Sequence, residues 1–93
     1  MAIKALAAGR GDTVVEIGCG TGMNFPLLQA QIGSSGKIIG VDISKEMLKR
    51  AEKRVRDADW DNVELVHASA TDYQFPHRVE GIIATGVLTY EPD

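Results

Sequence analysis

A chain of 93 residues, 44% hydrophobic and 25% charged, suits one small globular domain and excludes a disordered or fibrous protein. Its formal net charge of −3 removes the electrostatic drive toward polyanions, so nucleic acid is not expected as a partner. Cys19 is the single cysteine, which rules out an internal disulfide, and Cys19, His67 and His77 have no metal-ligand spacing; no metal is expected, and a reducing, cytoplasmic location is.

The first nine residues carry one lysine and no sustained apolar stretch, so they read as neither a signal peptide nor a transmembrane segment. Ile3, Leu6 and Ala7 fall at helical spacing, and Gly9 and Gly11 would end that short helix. Val14 to Ile17 is a β-branched apolar run closed by glycine, the mark of a buried strand. A glycine-rich loop, Gly18 to Gly22, follows. Pro26 to Ile32 then carries a helical pattern, with Asn24 as its cap and Pro26 in the first turn, where a missing N–H costs nothing.

Gly33 to Gly36 is a turn, and Lys37 to Val41 is a second apolar strand ending in Asp42. Ser44 caps the next predicted helix, whose buried stripe is Met47, Leu48, Ala51 and Val55. Lys49, Arg50, Lys53, Arg54 and Arg56 cluster on the same helix among Glu46 and Glu52. The pairs Glu46/Arg50 and Glu52/Arg56 have the favourable i,i+4 order, so this is read as a solvated face and not a phosphate-binding one. A polar turn at residues 57–62 leads to a third strand, Val63 to Ala68, and Val79 to Ala84 makes a fourth.

Strands alternating with helices predict an α/β fold, a Rossmann-like parallel sheet with flanking helices. In such sheets a ligand lies at the carboxyl ends of the strands, near the point where strand order reverses. Glu16, the glycine loop, Asp42, Ser69 and Thr85 would share that edge. The alternation Gly18, Gly20, Gly22 lets the backbone turn tightly and admits a ligand where a Cβ would stand in the way. Asp42, ending the next strand, can accept hydrogen bonds from both hydroxyls of a ribose. A dinucleotide fingerprint would place its third glycine at residue 23, which is Met23, and Glu16 beside the loop would oppose a pyrophosphate. A cationic, phosphate-free adenosine compound suits the two acids better.

VVEIGCGTG followed by IIGVDIS resembles motif I and the acidic second-strand motif of class I S-adenosylmethionine-dependent methyltransferases. HASATDYQFP and VEGIIATGVLTYEPD are similar to the third- and fourth-strand segments of the small-molecule branch, so the likeness spans nearly the whole chain. The resemblance implies S-adenosyl-L-methionine as cofactor. It implies that Glu16 contacts or orients the methionine ammonium, that Gly18, Cys19, Gly20 and Gly22 form the loop around the methionine, that Asp42 holds the ribose and that Ile43 packs on the adenine. Where the family often has Gly-Asp-Ala, this chain has Ala68-Ser69-Ala70, so Ser69 with Ala70, or Asp72 nearby, would meet the adenine. Ala84 and Thr85 would close the methionine end.

Other residues carry plainer expectations. Cys19 is a small loop residue and not a reactive thiol, as no base adjoins it in sequence. His67 and His77 are packing or surface residues, Met47 is core, and Trp60 covers the turn after its helix. Phe25 either packs under the first helix or lines the cofactor mouth. Tyr90 follows the fourth strand, where the family places acceptor-facing residues.

A sulfonium donor is already activated, so the protein's task is alignment and exclusion of water, and a general base is needed only for an acceptor that must lose a proton. ATGVLTYEPD lacks the Asn/Asp-Pro-Pro-aromatic signature that the resemblance would link to planar amines, which tilts the acceptor toward a small molecule or lipid. Four strands of an expected seven lead to the expectation that residues 1–93 are one cofactor-binding domain cut short at its C-terminal end. A non-catalytic nucleoside-binding fragment and a nicotinamide-dependent oxidoreductase are the alternatives.

Overall fold

The computed structural model describes residues 8–84. The predicted helix around Ile3 to Ala7, and the readings of Thr85 and Tyr90, lie outside the described residues. Within them the elements are β1 (Thr13–Ile17), α1 (Phe25–Ile32), β2 (Lys37–Asp42), α2 (Lys45–Asp57), β3 (Val63–His67) and β4 (Gly81–Ile83). β4 is shorter than the apolar pattern predicts, and just before it Glu80 is tied to β1: its N–H reaches the Thr13 carbonyl at 2.9 Å, and its Oε1 accepts from the Thr13 N–H at 2.7 Å.

The strands form one sheet in the order β3-β2-β1-β4, every pair parallel. The chain steps outward from β1 through β2 to β3 and then returns to the far side of β1. Strand order therefore reverses at β1, whose last residue Ile17 stands opposite Val41 of β2. Period-2 alternation sends Val14 and Ile38 to one face, where Phe25, Leu28 and Ile32 of α1 and Ala51 of α2 bury them. Val15, Ile17, Ile39 and Val41 occupy the other face, under Tyr73 and Val79 of the connection to β4.

α2 starts as predicted, with Ser44 Oγ accepting from the Met47 N–H at 3.2 Å. Its buried stripe is narrower than predicted. Ala51 is sealed and Leu48 and Val55 pack against the core, but Met47 is 40% exposed and is not core. The helix lies over β2 and the edge strand β3, so a single line of side chains meets the sheet and a residue one step around from Leu48 turns outward. On the solvent side Glu52/Arg56 closes at 3.6 Å and Lys53 pairs with Asp57 at 2.7 Å, while Glu46/Arg50 is not among the ion pairs of the described residues. The helix ends with Asp59 at φ 59° and the Trp60 N–H returning to the Val55 carbonyl at 3.1 Å. Trp60 does cover that turn, edge-on to Phe25 with ring centroids 6.5 Å apart.

The amino edge of the sheet is tied by a residue the sequence reading passed over. Asn62 exchanges hydrogen bonds with Gln29, at 2.6 and 3.0 Å, and its Nδ2 also donates to the carbonyls of Gly33 at 3.3 Å and Gly36 at 3.0 Å. One amide thus joins α1, the turn after it and the entry to β3. Asn62→Ala should cost about 2 kcal/mol, because it strands the half-buried Gln29 amide and two turn carbonyls. Urea unfolding of the two proteins measures the difference, and an unchanged midpoint would show that water replaces the network without loss.

Candidate functional site

Because β1 and β2 run parallel, their carboxyl ends and the loops that leave them meet at one edge. The loop after β1 is stitched to β2 by the Gly18 and Cys19 N–H groups, which both donate to the Val41 carbonyl at 2.7 and 3.1 Å. Asp42 completes the seam from the side chain. Its Oδ2 accepts from the Gly20 N–H at 2.8 Å and its Oδ1 from the Ser44 N–H at 2.9 Å, so one carboxylate holds the glycine loop and the entry to α2 together. A carboxylate offers about four acceptor positions; two serve the fold, and capacity remains for a ligand's hydroxyls.

Glu16 faces the helix side of the sheet and is 1% exposed. Asn24 Nδ2 donates to its Oε2 at 2.7 Å. Asn24 does stand at the N-cap of α1, but its side chain makes no cap bond and serves the acid instead, which the capping signal could not reveal. Next to both acids, Cys19 is buried, and its thiol is pushed up to about 12, chiefly by loss of solvation and then by the charges of Glu16 and Asp42. It stays a neutral thiol near pH 7, as expected of a packing residue.

The glycines have different tasks. At Gly22, with φ +82°, a Cβ would stand 2.7 Å from two carbons of the Phe25 ring, so this position lets α1 settle onto the loop. That is the service a dinucleotide site takes from its third glycine, supplied here one residue earlier. Gly20, with φ +59°, has nothing within 4 Å of its would-be Cβ and borders open space. Gly40 in the middle of β2 makes room for Cys19 Sγ and Phe25 Cζ, each 2.9 Å from a would-be Cβ. Of the two expectations for Phe25, the core one holds: the ring is fully buried.

Ile43 is 67% exposed directly after Asp42. β3 reaches the same edge through the Ala68 N–H, which donates to the Asp42 carbonyl at 3.1 Å. Ser69 then begins a turn in which its Oγ accepts from the Asp72 N–H at 3.1 Å and meets Thr71 Oγ1 at 3.1 Å; Ala70 and Asp72 are exposed in that turn. Two connecting residues escaped the sequence reading. His67 Nε2 lies 2.9 Å from the Ile43 carbonyl, and Arg54 Nε donates to the Thr21 carbonyl at 3.0 Å, tying α2 to the glycine loop. Neither carried a signal, as both look like surface residues of their own elements. Two grooves on the helix layer, one around Arg50, Arg54 and Trp60 and one around Leu48, Leu65 and His67, include none of Glu16, Gly20 and Asp42.

A four-stranded parallel sheet that reverses order at β1, with a glycine turn there and an acid near each of two adjacent strand ends, defines a Rossmann-like α/β unit. Residues 14–93 match the family described as methyltransferase domain, and the chain belongs to that family. It is 35% identical over 74 residues to a demethylmenaquinone methyltransferase of Listeria welshimeri, an alignment covering 80% of this chain and 31% of the relative. Among solved structures, a SAM-dependent methyltransferase from Aquifex aeolicus superposes with a TM-score of 0.80 at 28% identity, over 88% of this chain and 44% of that one. A protein-L-isoaspartate O-methyltransferase does so with a TM-score of 0.80 at 26% identity, over 89% and 26%. The chain thus spans about a third of the length of the curated relatives it matches. The fold and family read from the two motifs are borne out.

Two outcomes follow from the site's geometry. Gly22→Ala should lose roughly 2–4 kcal/mol in denaturant unfolding, from positive-φ strain plus the clash with Phe25, whereas Gly20→Ala should lose only about 1–2 kcal/mol, since strain acts there without a clash. The Cys19 thiol gives an alkaline signature. Between its ordinary 9.0 and about 12 the unfolded chain releases a proton that the native chain keeps. This contribution to stability is complete below pH 9 and falls as pH rises, by up to about 1.4 kcal/mol per pH unit. Above pH 9 the stability-against-pH curve of the protein should fall more steeply than that of Cys19→Ala.

Proposed function

We infer that this edge binds S-adenosyl-L-methionine and that the chain is the cofactor-binding portion of a cytoplasmic enzyme that methylates a small-molecule or lipid acceptor. The observation that carries this reading is the Asp42 clamp. A carboxylate already fixed by two backbone N–H groups is aimed and held before any ligand arrives, so little ordering remains to be done on binding. Its remaining acceptor positions suit the two ribose hydroxyls. Exposed Ile43 beside it suits the face of an adenine, with Ser69 and Ala70 on the β3 side.

The loop suits the other end of the molecule. Open space borders Gly20, and Gly22 keeps α1 close behind the loop. Glu16 lies where a dinucleotide site would receive its pyrophosphate at the helix N-terminus; a buried carboxylate there opposes a dianion and favours a ligand with a cationic amino-acid end. Thr85 is proposed to close this end.

When bound, the cofactor supplies a methyl group on a sulfonium, open to in-line displacement by an acceptor nucleophile. The residues described here bind and orient: Asp42 the sugar, Ile43 the base, the glycine loop with Glu16 the amino-acid end. A small apolar acceptor agrees with relatives named for a demethylated menaquinone. Nucleic acid is left out of the proposal because the chain's net charge is −3 and the cationic side chains of α2 are partly neutralised by their own acids. No helix among the described residues is long and apolar enough to cross a membrane.

Calorimetry with S-adenosylhomocysteine tests the reading. The protein should bind it and ignore NADH. Asp42→Ala should weaken binding at least about 10-fold, the worth of one charge-assisted hydrogen bond or more. Asp42→Asn, which keeps one acceptor oxygen, should fall between. NADH binding without S-adenosylhomocysteine binding would overturn the proposal.

A further inference from the structure

We propose that Asn24 is the residue through which Glu16 is felt by the ligand: its amide spans the gap between the buried acid and the cofactor, and its Oδ1 receives the ammonium of the ligand's amino-acid end. The proposal rests on the functional reading above and deepens it.

The argument starts from burial. Glu16 is the acid beside the loop, yet at 1% exposure it is shielded from direct contact with anything arriving from solvent. Asn24 is half-buried and within 2.7 Å of it. The amide nitrogen is the end that donates to Glu16, so the carbonyl Oδ1, an acceptor, is the end of the amide not engaged with the acid. The acid therefore fixes the donor end of the amide and leaves its acceptor oxygen to a ligand.

The side chain has also given up the task its position would normally set. Asn24 is the N-cap of α1, where an asparagine oxygen usually accepts an N–H of the first turn. Here it makes no such bond. A donor N–H bound to a carboxylate polarises the amide and makes its oxygen a better acceptor, since hydrogen bonds in series strengthen one another. Glu16, Asn24 and a ligand ammonium would form such a series: carboxylate, amide, cation. The neighbouring groups agree, because Met23 on one side is exposed and Phe25 on the other is sealed in the core, so of these three successive side chains only Asn24 is both polar and partly open.

Two ligands separate this role from a structural one. S-adenosylhomocysteine carries the ammonium; 5′-methylthioadenosine has the same nucleoside and thioether but no amino-acid end. The protein should prefer the first, and Asn24→Leu, which keeps the size and loses the amide, should reduce its affinity roughly 10- to 100-fold while changing that for 5′-methylthioadenosine less than about 3-fold. Asn24→Asp keeps an acceptor oxygen but sets two carboxyls in contact, which must share a proton; it should retain much of the preference and make it pH-dependent. Equal weakening of both ligands in Asn24→Leu, with circular dichroism showing an intact fold, would assign Asn24 a structural role and overturn the inference. Failure of the unsubstituted protein to bind either ligand would instead remove the cofactor reading on which it stands.

Discussion

Parallel pairing of β1 with β2, in the register that sets Ile17 opposite Val41, is the constraint from which the site follows. It brings two strand ends, Ile17 and Asp42, to one edge, so that Gly18 and Cys19 can both donate to Val41 and Asp42 can close on Gly20 and Ser44. A slip of one residue would turn every side chain of β1 to the other face and carry Glu16 away from α1. The register is secured by burial on both faces, with Val14 and Ile38 under the helices and Val15 and Ile39 on the reverse.

The same edge concentrates negative charge at a place where it is expensive. A carboxylate such as Glu16 is tolerated in the interior only with polar company, which Asn24 supplies beside the N-terminus of α1, where the helix dipole favours an anion. One visible consequence is Cys19, whose thiol is held far from ionisation by burial and by both acids. A nucleophilic thiol would need the opposite surroundings. The loop's thiol thus stays chemically inert.

α2 is more than a spacer between strands. Its contact with the sheet is a thin stripe centred on Ala51, and much of its surface is solvated and charged. Yet it reaches the loop through Arg54 and begins on the Asp42 clamp at Ser44, so movement of this helix would be felt at two points of the site. His67 ties the β3 end to the backbone of Ile43 in the same way. The edge is therefore held by a ring of hydrogen bonds contributed by β2, β3, α2 and the loop.

Local pattern was enough to read the elements and the sheet type, and the resemblance of two motifs gave the family, because β-branched runs, helical spacing and the glycine loop are properties of neighbours in the chain. Val14 to Ile17, Lys37 to Asp42 and the Ser44 cap are read there nearly as they stand, and the pair Glu16 and Asp42 was recognisable from strand ends alone. What the residues do to one another was not. Asn24 carries a capping signal but spends its side chain on Glu16; Met47 fits the helical stripe but falls outside it; Asn62 and Arg54 look like surface residues and are ties. Each of these depends on which groups lie across the space between elements, and that distance is settled by packing, which a pattern along the chain does not contain.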